Sequence, residues 1–509
     1  MPADPLLAGI DAGSTRIRAL IFTSEGRLVA EGSRPTEVRS PRPGWAEYDS
    51  EGLWQAACGA LREALGRIDH PERVVGVAVA SVGEAFVTLD RDGRPTGPTI
   101  AWYDERPVRQ LERLLQEIGI ERLHALTGLA PDPTFSLCKL LWLEAHAPDA
   151  LARTTLVLNV AHYLAWRLCG VPTCDLSLAS RSLALDLERR RWADDLIREV
   201  GLSPQIFPPI RPAGAKLGEV TAEAAGASGL EEGCTVGVGG HDHIVGALAV
   251  QGLEPGVLLD SMGTAEALTL ALDRPGGPEL ARRGFSQGVV EVSAPVHYAF
   301  GGLPASGACI EWFRQLFAGE LGHDRLIAEA EVVPPGCGGA TFLPDLRGRL
   351  SPVPDPLARG AWLGLSADTT RAVLYRAVLE GLAFDARLGL DTLAEIPGLP
   401  SVQGVRAIGG NTRNRLLMRI KGSVYARPIA AAEMPEATAL GAALLAGLAS
   451  GVFSDVGSAG LGQKAPFRSI EPDPAWAARY EAHYREVYRP ACAALGPLHH
   501  AARRVADRQ

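Results

Sequence analysis

The chain has 509 residues, more than one ordinary core accommodates, which points to two large domains. Apolar residues make up 47% and charged residues 21%, a balance that argues against disorder on a large scale. A formal net charge of −9 with no basic run disfavours nucleic-acid binding, and no stretch reaches the roughly 20 apolar residues of a membrane span.

The opening segment MPADPLLAGIDAGSTR has neither a basic n-region nor a long apolar core, so no signal peptide is expected and the cytoplasm is the default location. Strands are predicted over 6–10 and 17–22, separated by the turn Asp11-Ala12-Gly13-Ser14-Thr15-Arg16, with a third strand over 28–31. A helix over 50–68 and an apolar strand over 74–79 follow, and strands and helices then alternate through 155–158 and 159–168. From Thr235 a Gly-rich apolar strand runs into GVGGHDHIVGALAV. After Gln251-Gly252 the opening pattern returns as a strand over 256–261, a turn at Gly263-Thr264 and a strand over 265–272. This recurrence suggests two halves on one plan, joined near 250–256. The second half closes with a strand over 405–408, a GGNTRN turn, a helix from Arg415 and the run ATALGAALLAGLASGVF, whose small residues permit close helix packing. The expected division is 1–250, 251–475 and a helical tail over 476–509. The eight cysteines form no CxxC or CxxH pair, and read as small buried side chains rather than a disulfide frame or zinc site.

Three turns suit phosphate. In Asp11-x-Gly13-Ser14-Thr15-x-x-Arg18, Gly13 lets the backbone turn tightly, and Ser14 and Thr15 offer hydroxyl and N–H donors. Asp11 suits Mg²⁺, directly or through water, because this ion prefers a few carboxylates plus water and phosphate. Arg18 adds a cation that orders the turn or neutralises charge. Taken alone, a Gly-containing hairpin with a solvated Asp explains this turn as well. Gly263-Thr264 repeats the theme, and Gly409-Gly410 with Asn414, between a strand and a helix start, makes a third. Each is a weak signal; three in this order are a better one.

The segments IDAGSTRIRALIF, IAWYDERP, TFSLCKLLWL, VGGHDHIVGAL, DSMGTAEAL, SGACIEWFR, FLPDLRGR, DPLARGAWLGL, RAVLEGLAF and IGGNTRNRLLM follow one another in an order and spacing that resemble the FGGY carbohydrate kinases. The resemblance covers the chain from Ile10 to about Phe453. It implies an α/β fold of two actin-like, ribonuclease-H-like domains with ATP in the cleft between them, although such a fold alone does not assign function. It further implies that Asp242 is the catalytic base, and that Asp11, Gly13, Ser14, Thr15 and Arg18 form the first phosphate turn. Gly263 and Thr264 are then near the transferred phosphate, Gly307 is a nucleotide-proximal glycine at a helix start, and Gly410 and Asn414 lie on the adenine side. Glu84, Trp102, Asp104 and His243 fall on the sugar side, and Asp11 and Asp242 near Mg²⁺. The chain departs from the family at Gly240-His241-Asp242-His243, where Gly-Asp-Asn or Gly-Asp-Gln is frequent, and at Ser81-Val82-Gly83-Glu84. These departures leave substrate identity open.

A sugar hydroxyl is a weak nucleophile; a carboxylate within hydrogen-bond reach orients it and accepts its proton, and an Asp of ordinary pKa suits a loose transition state. Asp242 also suits the N-cap of a helix over 244–250. If a helix opens there, His241 and His243 diverge by about 200°, which disfavours a metal site at the pair. Glu84 and Asp104 can accept hydrogen bonds from sugar hydroxyls, His243 can donate or accept, and Trp102 can stack on C–H faces. So acidic a pocket favours neutral sugars over sugar acids. The expected reaction is therefore ATP-dependent phosphorylation of a ketopentose such as xylulose, with a polyol such as glycerol or erythritol as the alternative. A silent sugar sensor or an actin-like ATPase is the competing class, and the intact Asp242, Thr15, Gly263, Thr264 and Trp102 count against it. The expected partner is a small sugar or polyol, with no nucleic acid and no membrane; a homodimer is left open.

Overall fold

The computed structural model describes residues 4–104, 106–433, 436–457 and 467–506. Leu6–Ala12, Arg16–Thr23 and Leu28–Pro35 pair as an antiparallel meander. Val74–Ser81 and Thr235–His241 add in parallel on the other side of Leu6–Ala12, and Lys216–Glu219 closes that edge of a six-stranded sheet. The first strand is buried on both faces, so its apolar residues run without a break. Leu6, Ala8 and Ile10 meet Leu53 and Leu61 of helix Ser50–Leu65, whereas Leu7 meets Leu440 and Leu444 of helix Ala437–Ala449.

The second sheet repeats the plan. Val257–Met262, Glu266–Leu272 and Pro295–Leu303 form an antiparallel meander, and Gly404–Ile408 and Ile429–Ala432 add in parallel beside Val257–Met262. Ser286–Glu291 and Phe467–Ile470 extend the edges to seven strands. The recurrence seen in the sequence is thus the shared core of two actin-like α/β halves.

Small residues bring the halves together. Helix Ala437–Ala449 follows six of the seven strands of the second sheet in the chain yet covers the first sheet, at a distance where a Cβ on Gly9 would lie 1.9 Å from the Ala439 carbonyl oxygen. The same helix crosses Asp242–Ala249 so closely that a Cβ on Gly441 would lie 2.0 Å from the Val245 carbonyl oxygen. Near the C-terminus, Pro474–His483, the π turn Tyr484–Tyr488 and Arg489–Ala506 run on from one another, with Tyr480, Tyr484 and Tyr488 buried in the second core. Each of the eight cysteines is free, and all but Cys492 are buried. Among the described residues no helix is long and apolar enough to cross a membrane.

Candidate active site

The carboxyl ends of the parallel strands in both sheets carry Asp11, Glu84, Asp242, Gly263 and Gly410, which is where open α/β sheets leave a crevice. Asp11 stands opposite Arg18 in the first hairpin, and the carboxylate accepts from Arg18 Nη2 at 2.7 Å. Nη1 of Arg18 bonds Glu436 of the second half. Arg18, expected at the phosphates, therefore bridges the halves with one donor from each Nη on a carboxylate. The Gly13 N–H donates to the Arg16 carbonyl at 3.0 Å, which closes the turn and leaves Thr15 exposed. A cavity of about 390 Å³ beside it is lined by Asp11, Gly13, Thr15, Arg18 and Glu436.

Gly263 and Thr264 form the exposed turn between Val257–Met262 and Glu266–Leu272. The Gly263 carbonyl accepts from the Gly307 N–H at 3.1 Å and from Asn411 Nδ2 at 3.2 Å. A Cβ at Gly307 would come within 2.6 Å of that carbonyl oxygen, so this close approach needs glycine. Gly410 opens the short turn Gly410–Arg413 that carries Asn411. The turns at 263–264, 306–307 and 409–411 are thus brought together as expected. Asn414 is a correction: its Oδ1 caps helix Arg415–Tyr425 by accepting from the Leu417 N–H at 3.0 Å, and Asn411 is the side chain that reaches the turn.

Asp242 is the first residue of its helix rather than the cap; the cap position is His241, whose side chain makes no capping bond. Asp242 Oδ1 accepts from the His243 N–H at 2.7 Å. Burial, the Asp11 charge and, more weakly, Glu84 push the Asp242 carboxyl up to about 8, against the His243 N–H and Arg181. Its side chain keeps 22% exposure, so cleft solvent tempers this shift. The direction still replaces the ordinary Asp expected from sequence with a stronger base. The rings of His241 and His243 do not diverge: their centroids are 5.5 Å apart, because His241 still belongs to the strand and the helix starts one residue later. Burial pushes His241 well below its usual range and His243 down to about 4, so both are neutral near pH 7. His243 Nδ1 meets Ser261 Oγ of the second sheet at 3.2 Å. Among the described residues no group of three or more His, Cys, Asp or Glu could hold a metal ion by itself.

On the acceptor side, Glu84 is nearly buried and adopts φ +55, a left-handed backbone uncommon outside glycine. Arg181 Nε donates to Glu84 Oε1 at 2.6 Å. The fully buried Lys139 ammonium donates to the carbonyls of Ala101 at 2.9 Å, Glu84 at 3.3 Å and Trp102 at 3.4 Å, pinning both acceptor-side loops. Burial lowers the Lys139 pKa to about 8, with Glu84 and Asp104 opposing. Trp102 Nε1 donates to Ser14 Oγ at 2.7 Å and so ties the acceptor wall to the first phosphate turn. Asp104 is a second correction. It accepts from the Ala46 N–H at 2.6 Å and from Arg106 Nε at 2.9 Å and Nη2 at 2.7 Å, inside a pair whose side chains are at most 1% exposed. Its carboxylate braces the loop and has no face left for a sugar. Arg181 and Lys139 were missed by the sequence reading. Arg181 sits in an unremarked ASRS segment, but Lys139 had a usable signal, being one of only four lysines in an Arg-rich chain.

Residues 6–249 match the N-terminal domain of the FGGY family of carbohydrate kinases, and residues 259–450 match its C-terminal domain. The chain is 31% identical over 500 residues to a glycerol kinase of Bordetella parapertussis, covering 94% of each chain. It is 33% identical over 459 residues to a glycerol kinase of Thermus brockianus, covering 88% of this chain and 90% of that one. The crystal structure of xylulose kinase from Rhodospirillum rubrum superposes with a TM-score of 0.87 at 31% identity, covering 97% of this chain and 100% of the other.

Proposed function

The chain belongs to the FGGY family of carbohydrate kinases, and from that premise we propose that it transfers the γ-phosphoryl group of ATP to a hydroxyl of a small neutral ketose or polyol, with Asp242 as the base. The observation that carries this reading is the position of Asp242, whose carboxylate feels both Asp11 of the first phosphate turn and Glu84 of the acceptor pocket. A hydroxyl held against Asp242 gives up its proton there as the bond to phosphorus forms. The backbone of 13–15 and 263–264, with the Ser14 and Thr15 hydroxyls, suits the phosphate oxygens. Gly307, Gly410 and Asn411 then flank the rest of the nucleotide, and Trp102 and His243 wall the acceptor.

Burial and, after it, the Asp11 charge raise the Asp242 carboxyl. Two carboxylates with room for phosphate and water fit Mg²⁺ better than an all-protein cage would. When bound, that ion supplies positive charge to the phosphoryl group in transfer.

The charge argument against sugar acids loses two of its members, since Glu84 is paired with Arg181 and Asp104 with Arg106. A neutral acceptor is supported instead by relatives named for glycerol and xylulose. D-xylulose and glycerol are therefore the first acceptors to try. ADP release, measured by a coupled assay across ketoses, polyols and aldonates, should depend on a neutral acceptor. Equal release with and without any acceptor would mark an ATPase, and activity confined to an aldonate would overturn the neutral-acceptor reading.

A further inference from the structure

We propose that Arg181 is a specificity-determining residue of the acceptor pocket, holding together with Glu84 one substrate hydroxyl adjacent to the one phosphorylated at Asp242. This rests on the kinase reading above. Arg181 lies in the turn after the short helix Leu176–Ala179, with its side chain 13% exposed. Its bonds to Glu84 are one-sided: Nε at 2.6 Å and Nη2 at 2.5 Å both fall on Oε1. A clamp whose sole task was to hold the carboxylate would use both oxygens, as forked Arg–carboxylate pairs commonly do. Arg106 grips Asp104 in that way, with both Oδ1 and Oδ2 engaged. At Glu84, no hydrogen-bond donor among the described residues reaches Oε2, and the guanidinium keeps N–H donors that Glu84 does not use.

Two aromatic rings hold the guanidinium without consuming those donors, Phe135 at 5.0 Å and Phe300 at 5.1 Å from its carbon. Phe300 belongs to the strand Pro295–Leu303 of the second sheet and also packs edge-on against His241 and His243. The Arg181 stem and the His241 ring occupy the space beside Gly83, where a Cβ would meet His241 Nε2 at 3.2 Å and Arg181 Cγ at 3.4 Å. Glycine at position 83 thus leaves room for an arginine that arrives from far along the chain.

A hydroxyl suits what remains, because it donates to Glu84 Oε2 while accepting from Arg181. A carbonyl can only accept, and a methylene leaves two nearly buried polar groups without partners. The substrate class that follows is an acceptor carrying a vicinal diol, one oxygen at Asp242 and the next between Glu84 and Arg181.

Arg181→Gln and Arg181→Lys test this with glycerol and D-xylulose, each against an analogue lacking the neighbouring hydroxyl: propane-1,3-diol and a 4-deoxypentulose. Wild-type enzyme should prefer the parent acceptor by about 100-fold or more. Arg181→Gln should raise the acceptor KM by about tenfold and narrow that preference, with the KM for ATP within about twofold. Arg181→Lys should fall between, because a compact ammonium cannot serve Glu84 and the substrate oxygen at once. It also decides the matter if the Gln variant fails to fold, as judged by its melting transition. Unchanged acceptor KM and preference in a folded variant, or an equal rise in the KM for ATP, would overturn the assignment while leaving the kinase reading intact. Wild-type ADP release that is equal with and without every ketose and polyol tried would overturn that reading and this assignment with it.

Discussion

Asp242 stands one residue past a strand, at the first position of a helix, where its carboxylate accepts from the next N–H and stays partly exposed. Asp242→Asn keeps the size and most hydrogen bonding but removes the proton acceptor. Turnover should fall by about 10²–10⁴ while nucleotide affinity, followed by fluorescence titration, changes little. A near-normal rate would remove Asp242 from the chemistry. Its neighbours show how far single residues are legible. Glu84 and Asp104 look alike in the sequence, each an acidic residue just past a strand, and both were assigned to the sugar. Asp104 is consumed by Arg106 and the Ala46 N–H, whereas Glu84 gives only one oxygen to Arg181. Arg106, two residues past Asp104, is a local signal for its capture, whereas the donors at Ala46 and Arg181 come from distant segments.

The hairpin carrying Gly263 and Thr264 owes its rigidity to a brace that its own sequence does not reveal. Lys421 Nζ donates to Asp260 at 2.6 Å on one arm and to Glu266 at 2.5 Å on the other, with all three side chains 0% exposed. Tyr425 donates to Asp260 at 2.9 Å, and Ser306 to Glu266 at 2.8 Å. Burial opposes the charge on Lys421, but Asp260 and Glu266 outweigh it and raise its pKa. Lys421→Met would leave two carboxylates in a dry interior without their counter-charge. A loss of about 3–5 kcal/mol in urea unfolding is expected, because breaking a buried pair strands the remaining charge. A loss below about 1 kcal/mol would show that water or protonation relieves the carboxylates. The segment DSMGTAEAL read correctly as strand, turn and strand, since alternation and a glycine are local signals. The lysine that locks it lies 155 positions away from Glu266.

Across the whole molecule, the contacts that join the halves around the cleft include Arg18 with Glu436, His243 with Ser261, and Arg181 with Phe300. We place the hinge in 250–256, between helix Asp242–Ala249 and strand Val257–Met262, close to the crossing at Gly441 that holds the two helix backbones together. Closure about this point would exclude water that competes for the phosphoryl group. Small-angle scattering should show a smaller radius of gyration with an acceptor and a non-hydrolysable ATP analogue together than with neither. Identical profiles at saturating ligand would argue that the cleft does not close.

The sequence by itself determined the two-half plan, the meanders, the glycine turns at 13, 263 and 410, and the location of Asp242 at a strand end. These follow from signals between neighbours in the chain: alternation of apolar residues, turn chemistry, and stretches of small residues where helices approach closely. Only the tertiary structure decided which polar side chains were left free to act. It chose Asn411 over Asn414, withdrew Asp104, brought Arg181 to Glu84, set Lys139 beneath both acceptor loops and turned the two histidine rings toward each other. A polar side chain's role depends on which donors and acceptors the fold brings within about 3 Å and on how much water it leaves there, and those partners are distant in sequence.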